Sequence, residues 1–420
     1  MPDRREVVIG IAASAAALPA PSALAKKAPR VVIIGGGFAG ATCARALKRR
    51  DRNLTVILVE PNARFTACPF SNGVIAGLRD IQAQQFSYDA LKREGVEIIA
   101  QAAVGADPNA RTVMLEDGSD LEYARLVVAP GIDLDFGALP GYDRAAAEIM
   151  PHAWKAGDQT LLLRRQLEAM EDGGLVVMSA PASPFRCPPG PYERASLIAH
   201  YLKTRKPRSK LLILDAKESF SKQKLFEAAW KALYPGVIEW TPLSFGGRVT
   251  EVDAASGTLI TEFGRHKAAV ANIIPPQRAG AIAQAAGVAD QTGWCPIDPV
   301  TFESRLQAGI HVVGDAAIGG AMPKSAFTAN MQAKVCAGAI LALLRGEAPT
   351  EQKLVNTCYS LVAPDYGISV AGVYQPRDGL LTEVEGAGGV SPLDAPASYR
   401  AQEASYAEGW FRTITSEVFG

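Results

Sequence analysis

No two of the six cysteines form a C-x-x-C pair, and no C-x-x-C-H occurs. That excludes the common signatures of structural zinc and of c-type haem attachment on this chain. Lys and Arg together number 43, and Asp and Glu together also number 43. With no net charge, the chain has no long-range attraction for nucleic acid or for an anionic membrane surface. Past residue 25, no apolar run of about 18 residues escapes a charge or a proline, so no membrane-spanning helix and no membrane anchor are expected. The histidines His152, His200, His266 and His311 are scattered, with no triad or metal partner in sequence. No repeat or low-complexity tract is present. The 420 residues still leave room for two or three domains with substantial cores.

The N-terminus reads as a targeting segment. Arg4-Arg5 precedes a short apolar stretch, Val7 to Leu18, and Ala23-Leu24-Ala25 forms an A-x-A-like cleavage site. The expectation is twin-arginine export to the periplasm with removal of residues 1–25; a disordered tail with a chance arginine pair is the alternative. An exported chain can keep disulfides, and any bridge here is long-range.

The stretch Val31 to Glu60 organises the rest. Val31 to Ile34 suits a buried parallel strand, Gly35-x-Gly37-x-x-Gly40 follows, Ala41 to Arg50 carries helix formers, and Leu54 to Val59 is a second apolar run ending in Glu60. A glycine triplet alone is weak evidence, but within a βαβ unit that ends in an acid it is a dinucleotide-binding fingerprint. Gly35 permits the tight turn, Gly37 lets the backbone approach a pyrophosphate, and Gly40 lets helix and strand pack closely. The helix N-terminus offers free N–H groups to phosphates, and Glu60 stands where a carboxylate accepts from ribose hydroxyls.

Further along, Glu116-Asp117-Gly118-Ser119 reads as a hairpin turn, and Leu126 to Ala129 as a strand returning to the parallel sheet. A second βαβ unit runs from the helix Thr160 to Met170, through the strand Leu175 to Met178 and the helix Tyr192 to Thr204, to the strand Leu211 to Leu214. Its turn, Ser179 to Pro191, is filled with prolines, which remove N–H donors and obstruct a pyrophosphate. Asp215 is either a vestige of the ribose acid or a structural carboxylate, the latter favoured by the missing glycines. Ile310 to Val313 followed by Gly314-Asp315 puts a carboxylate where a flavin's ribityl chain can be held. Pro323 is expected to open a long helix from Lys324 to Leu344, with Lys324 and the helix end facing the flavin's N1 and C2 carbonyl. Tyr399, Tyr406, Trp410, Phe411 and Ile414 recur at roughly helical spacing near the C-terminus. Cys43, Cys295 and Cys336 suit small buried core positions. On residues alone, Cys187 and Cys358 are as readily a structural disulfide as a functional pair.

Several stretches together resemble one family, the flavoprotein subunits of flavocytochrome c sulfide dehydrogenase, which are FAD-dependent, disulfide-reductase-like proteins with two dinucleotide domains. The matching pieces are FTACPFSN around Cys68, FRCPPGPYERASLIAHYLK around Cys187, GWCPIDPVTFES from Gly293, HVVGDAAIGGAMPKSAFTANMQAKVCA from His311 and NTCYSLVAPDYGISVAGVY from Asn356. They are spread over most of residues 30–376.

The resemblance implies an α/β fold with two Rossmann-like domains in the glutathione-reductase manner and a C-terminal α+β interface domain. The implied division is an FAD-binding domain in two parts (30–148 and 268–345), a degenerate second dinucleotide domain (149–267) and the interface domain (346–420). It implies FAD attached covalently through Cys68, a redox-active disulfide of Cys187 and Cys358 beside the flavin, and Glu193 as a base. It also implies sulfide oxidation to sulfur or polysulfide, with electrons passing to a partner c-type cytochrome subunit that carries the haem. Competing expectations are a quinone-linked or NAD(P)-linked flavin disulfide oxidoreductase, or a non-catalytic flavoprotein of a sulfur-oxidising complex.

Overall fold

The computed structural model describes residues 29–420; the expected export segment, residues 1–25, lies outside the described residues. Arg30–Ile34 forms the first strand, and Phe38–Arg50 the helix that follows the glycine turn. The first strand lies between Thr55–Val59 and Arg125–Val128 in a five-stranded parallel sheet, with Ile310–Val312 and Glu97–Ile99 at its edges. An all-parallel sheet covered on both faces needs strands that are apolar throughout. Accordingly Val31, Val32 and Ile33 are fully buried, each stabilising the fold by ~1.5–3 kcal/mol relative to exposure.

A second parallel sheet, of four strands, carries the second βαβ unit in the order Ile238–Thr241, Lys210–Asp215, Leu175–Ala180, Val270–Ile273. Helix Gly190–Arg205 crosses from Leu175–Ala180 to Lys210–Asp215. The hairpin expected at Gly118 is formed, as is one around Gly257, each as part of a three-stranded antiparallel meander.

The chain then returns to the first sheet at Ile310–Val312 and enters helix Ala326–Arg345. This helix begins later than the sequence suggests. Pro323 and Lys324 precede it, and Ser325 is the N-cap, its hydroxyl accepting from the Thr328 N–H at 3.0 Å. A side-chain oxygen that meets a free first-turn donor sets a helix start more firmly than a proline, which only tolerates one. By length and composition this helix could cross a membrane, but it packs against the fingerprint helix, with 56% of its most apolar window buried. Its mixed Ala, Gly and Cys face fits that close helix–helix contact, and Cys43 and Cys336 are both fully buried in the core.

Residues 354–390 form an antiparallel sheet led by Leu354–Ala363 and Tyr366–Arg377, and the last helix, Ala397–Phe419, packs across it. Of the aromatic and aliphatic positions noted on that helix, Phe411 and Ile414 are buried, whereas Tyr399 and Tyr406 are exposed. Phe419 stacks on Phe65 at 5.2 Å and on Phe86 at 5.3 Å, tying the C-terminus to the first domain.

Candidate active site

The glycine turn, the Cys187 loop, the Asp315 turn and the strand bearing Cys358 all line one cavity of about 490 Å³. Two of the three fingerprint glycines meet a steric demand from the backbone. Gly35 has φ +98°, and a Cβ there would lie 2.3 Å from the Ala129 carbonyl oxygen. A Cβ on Gly40 would lie 1.8 Å from the Gly35 oxygen, so the helix approaches the turn as closely as backbone allows. Gly37 faces the cavity, with only the Phe65 ring near its Cβ position. Glu60 is fixed by the Gly36 N–H at 2.8 Å on one oxygen and by the Asn62 N–H at 2.9 Å on the other. It therefore presents an oriented carboxylate at the cavity wall.

The cavity wall carries buried polar atoms that lack a partner within the protein. Tyr88 Oη, Trp154 Nε1 and Asp315 Oδ1 are buried without a hydrogen-bond partner, and all three residues line it. Buried polar groups are nearly always paired, so unpaired ones around a cavity fit a bound molecule with several donors and acceptors. The N-termini of helices Phe38–Arg50, Gly190–Arg205 and Ala326–Arg345 all reach the wall. Their free N–H groups and dipoles favour negative charge inside. Glycine cradle, oriented acid, unpaired polar atoms and helix ends together fit a flavin dinucleotide.

Cys187 occupies the left-handed region (φ +57°), uncommon for a residue with a side chain. Its N–H donates to the Lys324 carbonyl at 2.8 Å and its carbonyl accepts from Gly190 N–H at 2.8 Å. Burial pushes its thiol well above the usual range, and the neighbouring Cys358 and Glu193 push it further. Cys358 is buried on strand Leu354–Ala363, its Sγ accepting from Asn356 Nδ2 at 3.3 Å. Both cysteines are free thiols and both line the cavity.

Glu193, in the first turn of its helix, accepts from Asn72 Nδ2 at 2.7 Å and from the Leu361 N–H at 2.8 Å. Burial raises its pKa; these two hydrogen bonds and the cations Lys222 and Arg194 oppose the rise. Cys68 lines the cavity beside Trp154, its sulfur 3.8 Å from the Trp154 carbonyl.

Asp315 follows strand Ile310–Val312 as expected, and its carboxylate faces the Arg186 guanidinium at 4.0 Å. Burial raises its pKa, against the pull of Arg186 and Lys324. The Lys324 ammonium is not where the sequence reading puts it. It donates to the Asp315 and Ala317 carbonyls at 2.7 and 2.8 Å and lies 3.9 Å over the Trp294 ring, and Lys324 does not line the cavity. Its start outside the helix explains the change: Lys324 ties down the turn behind Asp315, while Ser325 and Ala326 present the helix end. Asp215 resolves as structural. It is fully buried, accepting from Tyr192 Oη at 2.5 Å and Trp240 Nε1 at 3.0 Å and paired with Lys217 at 2.5 Å.

Four wall or support residues were not singled out from sequence. Arg194, buried, donates to Asn72, Asn272 and the carbonyls of His152 and Ala153, and stacks over Trp154 at 4.9 Å. Arg186, Asn72 and Trp410 also line the cavity. Arg186, Arg194 and Asn72 lie inside the conspicuous stretches around Cys187 and Cys68, so proximity in sequence was the available signal; Trp410 stood out in sequence only by its helical spacing.

Three stretches of the chain match models of known protein families. Residues 160–275 match the family model for the central part of the sulfide dehydrogenase [flavocytochrome c] flavoprotein chain. Residues 350–419 match that for flavocytochrome c sulphide dehydrogenase, flavin-binding, and residues 29–166 that for pyridine nucleotide-disulphide oxidoreductases. The sulfide dehydrogenase [flavocytochrome c] flavoprotein chain of Chlorobaculum thiosulfatiphilum is 53% identical over 45 residues, which cover 11% of this chain and 94% of that sequence. The mouse mitochondrial sulfide:quinone oxidoreductase is 23% identical over 313 residues, 69% of this chain and 66% of the mouse protein, so just under two thirds of that relative's length is spanned. In fold, the chain is similar to the sulfide:quinone oxidoreductase of Aquifex aeolicus, with a TM-score of 0.72 and 19% identity, covering 93% of this chain and 92% of that one.

Proposed function

The chain belongs to the family of flavocytochrome c sulfide dehydrogenase flavoprotein chains, and from that premise we propose that it oxidises sulfide with FAD through a redox-active disulfide of Cys187 and Cys358, passing electrons to a c-type cytochrome subunit. The observation that carries this reading is that both cysteines and the dinucleotide turn line one cavity.

Hydrosulfide attacks a disulfide sulfur; a bond forms between the substrate sulfur and one cysteine, the Cys187–Cys358 bond breaks, and its electron pair leaves on the other cysteine as a thiolate. Glu193, held by Asn72 and the Leu361 N–H and raised by burial, takes the substrate's proton. The three helix ends and Arg186 favour the anions that accumulate. When bound, FAD supplies an acceptor for two electrons that can hand them on singly, as a haem requires. The residues that would hold it are Gly35, Gly37, Glu60 and Asp315, and Cys68 would be the covalent attachment.

A second reading replaces the cytochrome by quinone. It is favoured by the long match to a protein named for quinone, whereas the flavocytochrome match is strong but short. An NAD(P)-linked reading is disfavoured by the proline-filled Ser179–Pro191 turn and the fully engaged Asp215. Export to the periplasm is part of the proposal and fits a cytochrome c acceptor.

Cys187→Ser and Cys358→Ser proteins are each expected to retain FAD and lose sulfide-dependent flavin bleaching; full bleaching in either refutes the disulfide. With wild-type protein, sulfide-dependent reduction of a purified cytochrome c rather than of a soluble ubiquinone analogue decides the acceptor. No turnover with either acceptor would leave a flavin-binding assembly role.

A further inference from the structure

Lys222 is a buried lysine for which the chemistry above finds no use. It caps helix Gln223–Leu233 in the left-handed region, at φ +62°. Gly or Asn adopts that conformation at less cost, so the lysine side chain itself is what the position retains. Its ammonium donates to the Cys358 carbonyl at 3.0 Å and to the Ser360 hydroxyl at 2.8 Å. Both acceptors are neutral.

The charged and titratable groups facing it are Cys358, Glu193, Cys187 and Glu403. The two carboxylates are engaged elsewhere. Glu193 is held by Asn72 and the Leu361 N–H, and Glu403 by Ser369, Ser391 and Arg400. A buried cation without its own counter-ion is costly unless a negative charge forms beside it.

A neutral donor reaches the Cys358 sulfur itself. Asn356 Nδ2 lies 3.3 Å from Cys358 Sγ, and its amide orientation is set because Oδ1 already accepts from the Ser325 and Thr328 hydroxyls at 2.7 and 3.2 Å. Among the described residues no comparable side-chain donor reaches Cys187 Sγ.

We infer that Lys222 is a positioning residue that supplies the counter-charge for a thiolate on Cys358, making Cys358 the sulfur that leaves when the disulfide opens. This rests on the disulfide chemistry proposed above. In that step HS⁻ bonds to Cys187 Sγ, the Cys187–Cys358 bond breaks, and the electron pair and negative charge end on Cys358 Sγ beside Lys222 and the Asn356 amide. Charge and electrons balance, with the substrate's anion exchanged for a protein thiolate. The ammonium's own pKa, lowered to about 8 by burial and pulled back up by Cys358, Glu193 and Cys187, keeps the cation present at neutral pH.

The test uses full-length flavoprotein reduced with dithiothreitol and alkylated with iodoacetamide over a pH series, with the Cys358 peptide followed by mass spectrometry. Lys222→Gln keeps a donor but removes the charge. It is expected to slow Cys358 alkylation at pH 7 by about tenfold and to move its pH profile upward by about one unit. Lys222→Arg, which keeps the charge, is expected to stay within about twofold of wild type. Equilibration with glutathione is expected to show the dithiol state of Lys222→Gln disfavoured by about tenfold. Should Lys222→Gln fail to fold, Lys222→Met carries the same expectations. A Lys222→Gln profile that overlays wild type overturns the inference, as does Lys222→Arg shifting as far as Lys222→Gln. Neither readout needs sulfide, so retained flavin bleaching in Cys187→Ser would sink the parent reading separately.

Discussion

The Glu193 carboxylate accepts a hydrogen bond from the Leu361 main-chain N–H at 2.8 Å, joining the helix that follows Cys187 to the strand that carries Cys358. One acidic group thus joins the two elements that carry Cys187 and Cys358, while burial raises its pKa. A base works deprotonated, so sulfide-dependent flavin reduction is expected to fall as pH drops through the raised Glu193 pKa. Glu193→Gln is expected to lower the rate by ~10²–10⁴-fold and to lose that acid limb. Stopped-flow bleaching of the flavin across pH checks both. The stability sign is opposite: the folded pKa lies above the unfolded one, so this group's contribution is full below the unfolded value and is lost as pH rises through the folded value. Glu193→Gln is therefore expected to gain thermal stability relative to wild type at alkaline rather than acid pH.

Cys68 is held at the cavity wall with its sulfur 3.8 Å from the Trp154 carbonyl and with Arg186 and Arg194 as charged neighbours. Acid precipitation of the wild-type flavoprotein is expected to leave the yellow colour in the pellet. Cys68→Ala is expected to release it into the supernatant while the folded protein still binds flavin. Colour released wholly from the wild type would mean a noncovalent cofactor.

Gly40 shows how little slack the nucleotide turn has. A Cβ there would lie 1.8 Å from the Gly35 carbonyl oxygen and 3.1 Å from its carbon, both backbone atoms that cannot swing aside. Gly40→Ala must therefore push the fingerprint helix off the strand and break the contact of the helix N-terminus with the cavity. The expected result is loss of flavin in purified protein and a destabilisation at the upper end of single substitutions, ~4 kcal/mol or more. Gly37→Ala meets only the Phe65 ring, at 3.4 Å, and is expected to fold while binding flavin more weakly. Flavin content and thermal melting of the two variants separate the roles.

What the sequence made legible was whatever local chemistry determines. Apolar runs bounded by glycines placed both parallel sheets, because a strand buried on two faces leaves no other pattern. The proline-filled turn after Leu175–Ala180 marked the second unit as unlike the first, because proline removes the donors a pyrophosphate needs. The position of Lys324 was not legible: whether a lysine before a helix faces a cavity or folds back onto the Asp315 and Ala317 carbonyls depends on where the helix is capped, and Ser325 decides that. Lys222 and Asn356 were hidden for another reason. Each acts on Cys358, but Lys222 comes to it from 136 residues away, and only folding shows that such a lysine is buried without a carboxylate. Asn356 lies beside Cys358 in sequence, yet an asparagine two residues along a strand gives no sign that its amide is turned to the sulfur.

The last prediction concerns Gly190, whose φ is ordinary but whose surroundings are not. A Cβ there would lie 2.8 Å from the Trp154 ring and 3.0 Å from Cys187 Sγ. Both contacts are tighter than van der Waals packing allows, and both neighbours are constrained. Trp154 is buried under the Arg194 guanidinium, and Cys187 is pinned by the Lys324 carbonyl. The added methyl group has to be accommodated by turning Cys187 Sγ from its present position. Gly190→Ala is therefore expected to cost ~1–3 kcal/mol, in the range of overpacked cores. It is also expected to slow closure of the Cys187–Cys358 bond by far more than that loss of stability alone explains, because disulfide geometry tolerates little displacement of either sulfur. Thermal melting gives the first quantity. The rate at which the dithiothreitol-reduced protein loses the Cys187 and Cys358 thiols on addition of oxidised glutathione gives the second, and a wild-type rate in a destabilised protein would show that the glycine serves packing alone.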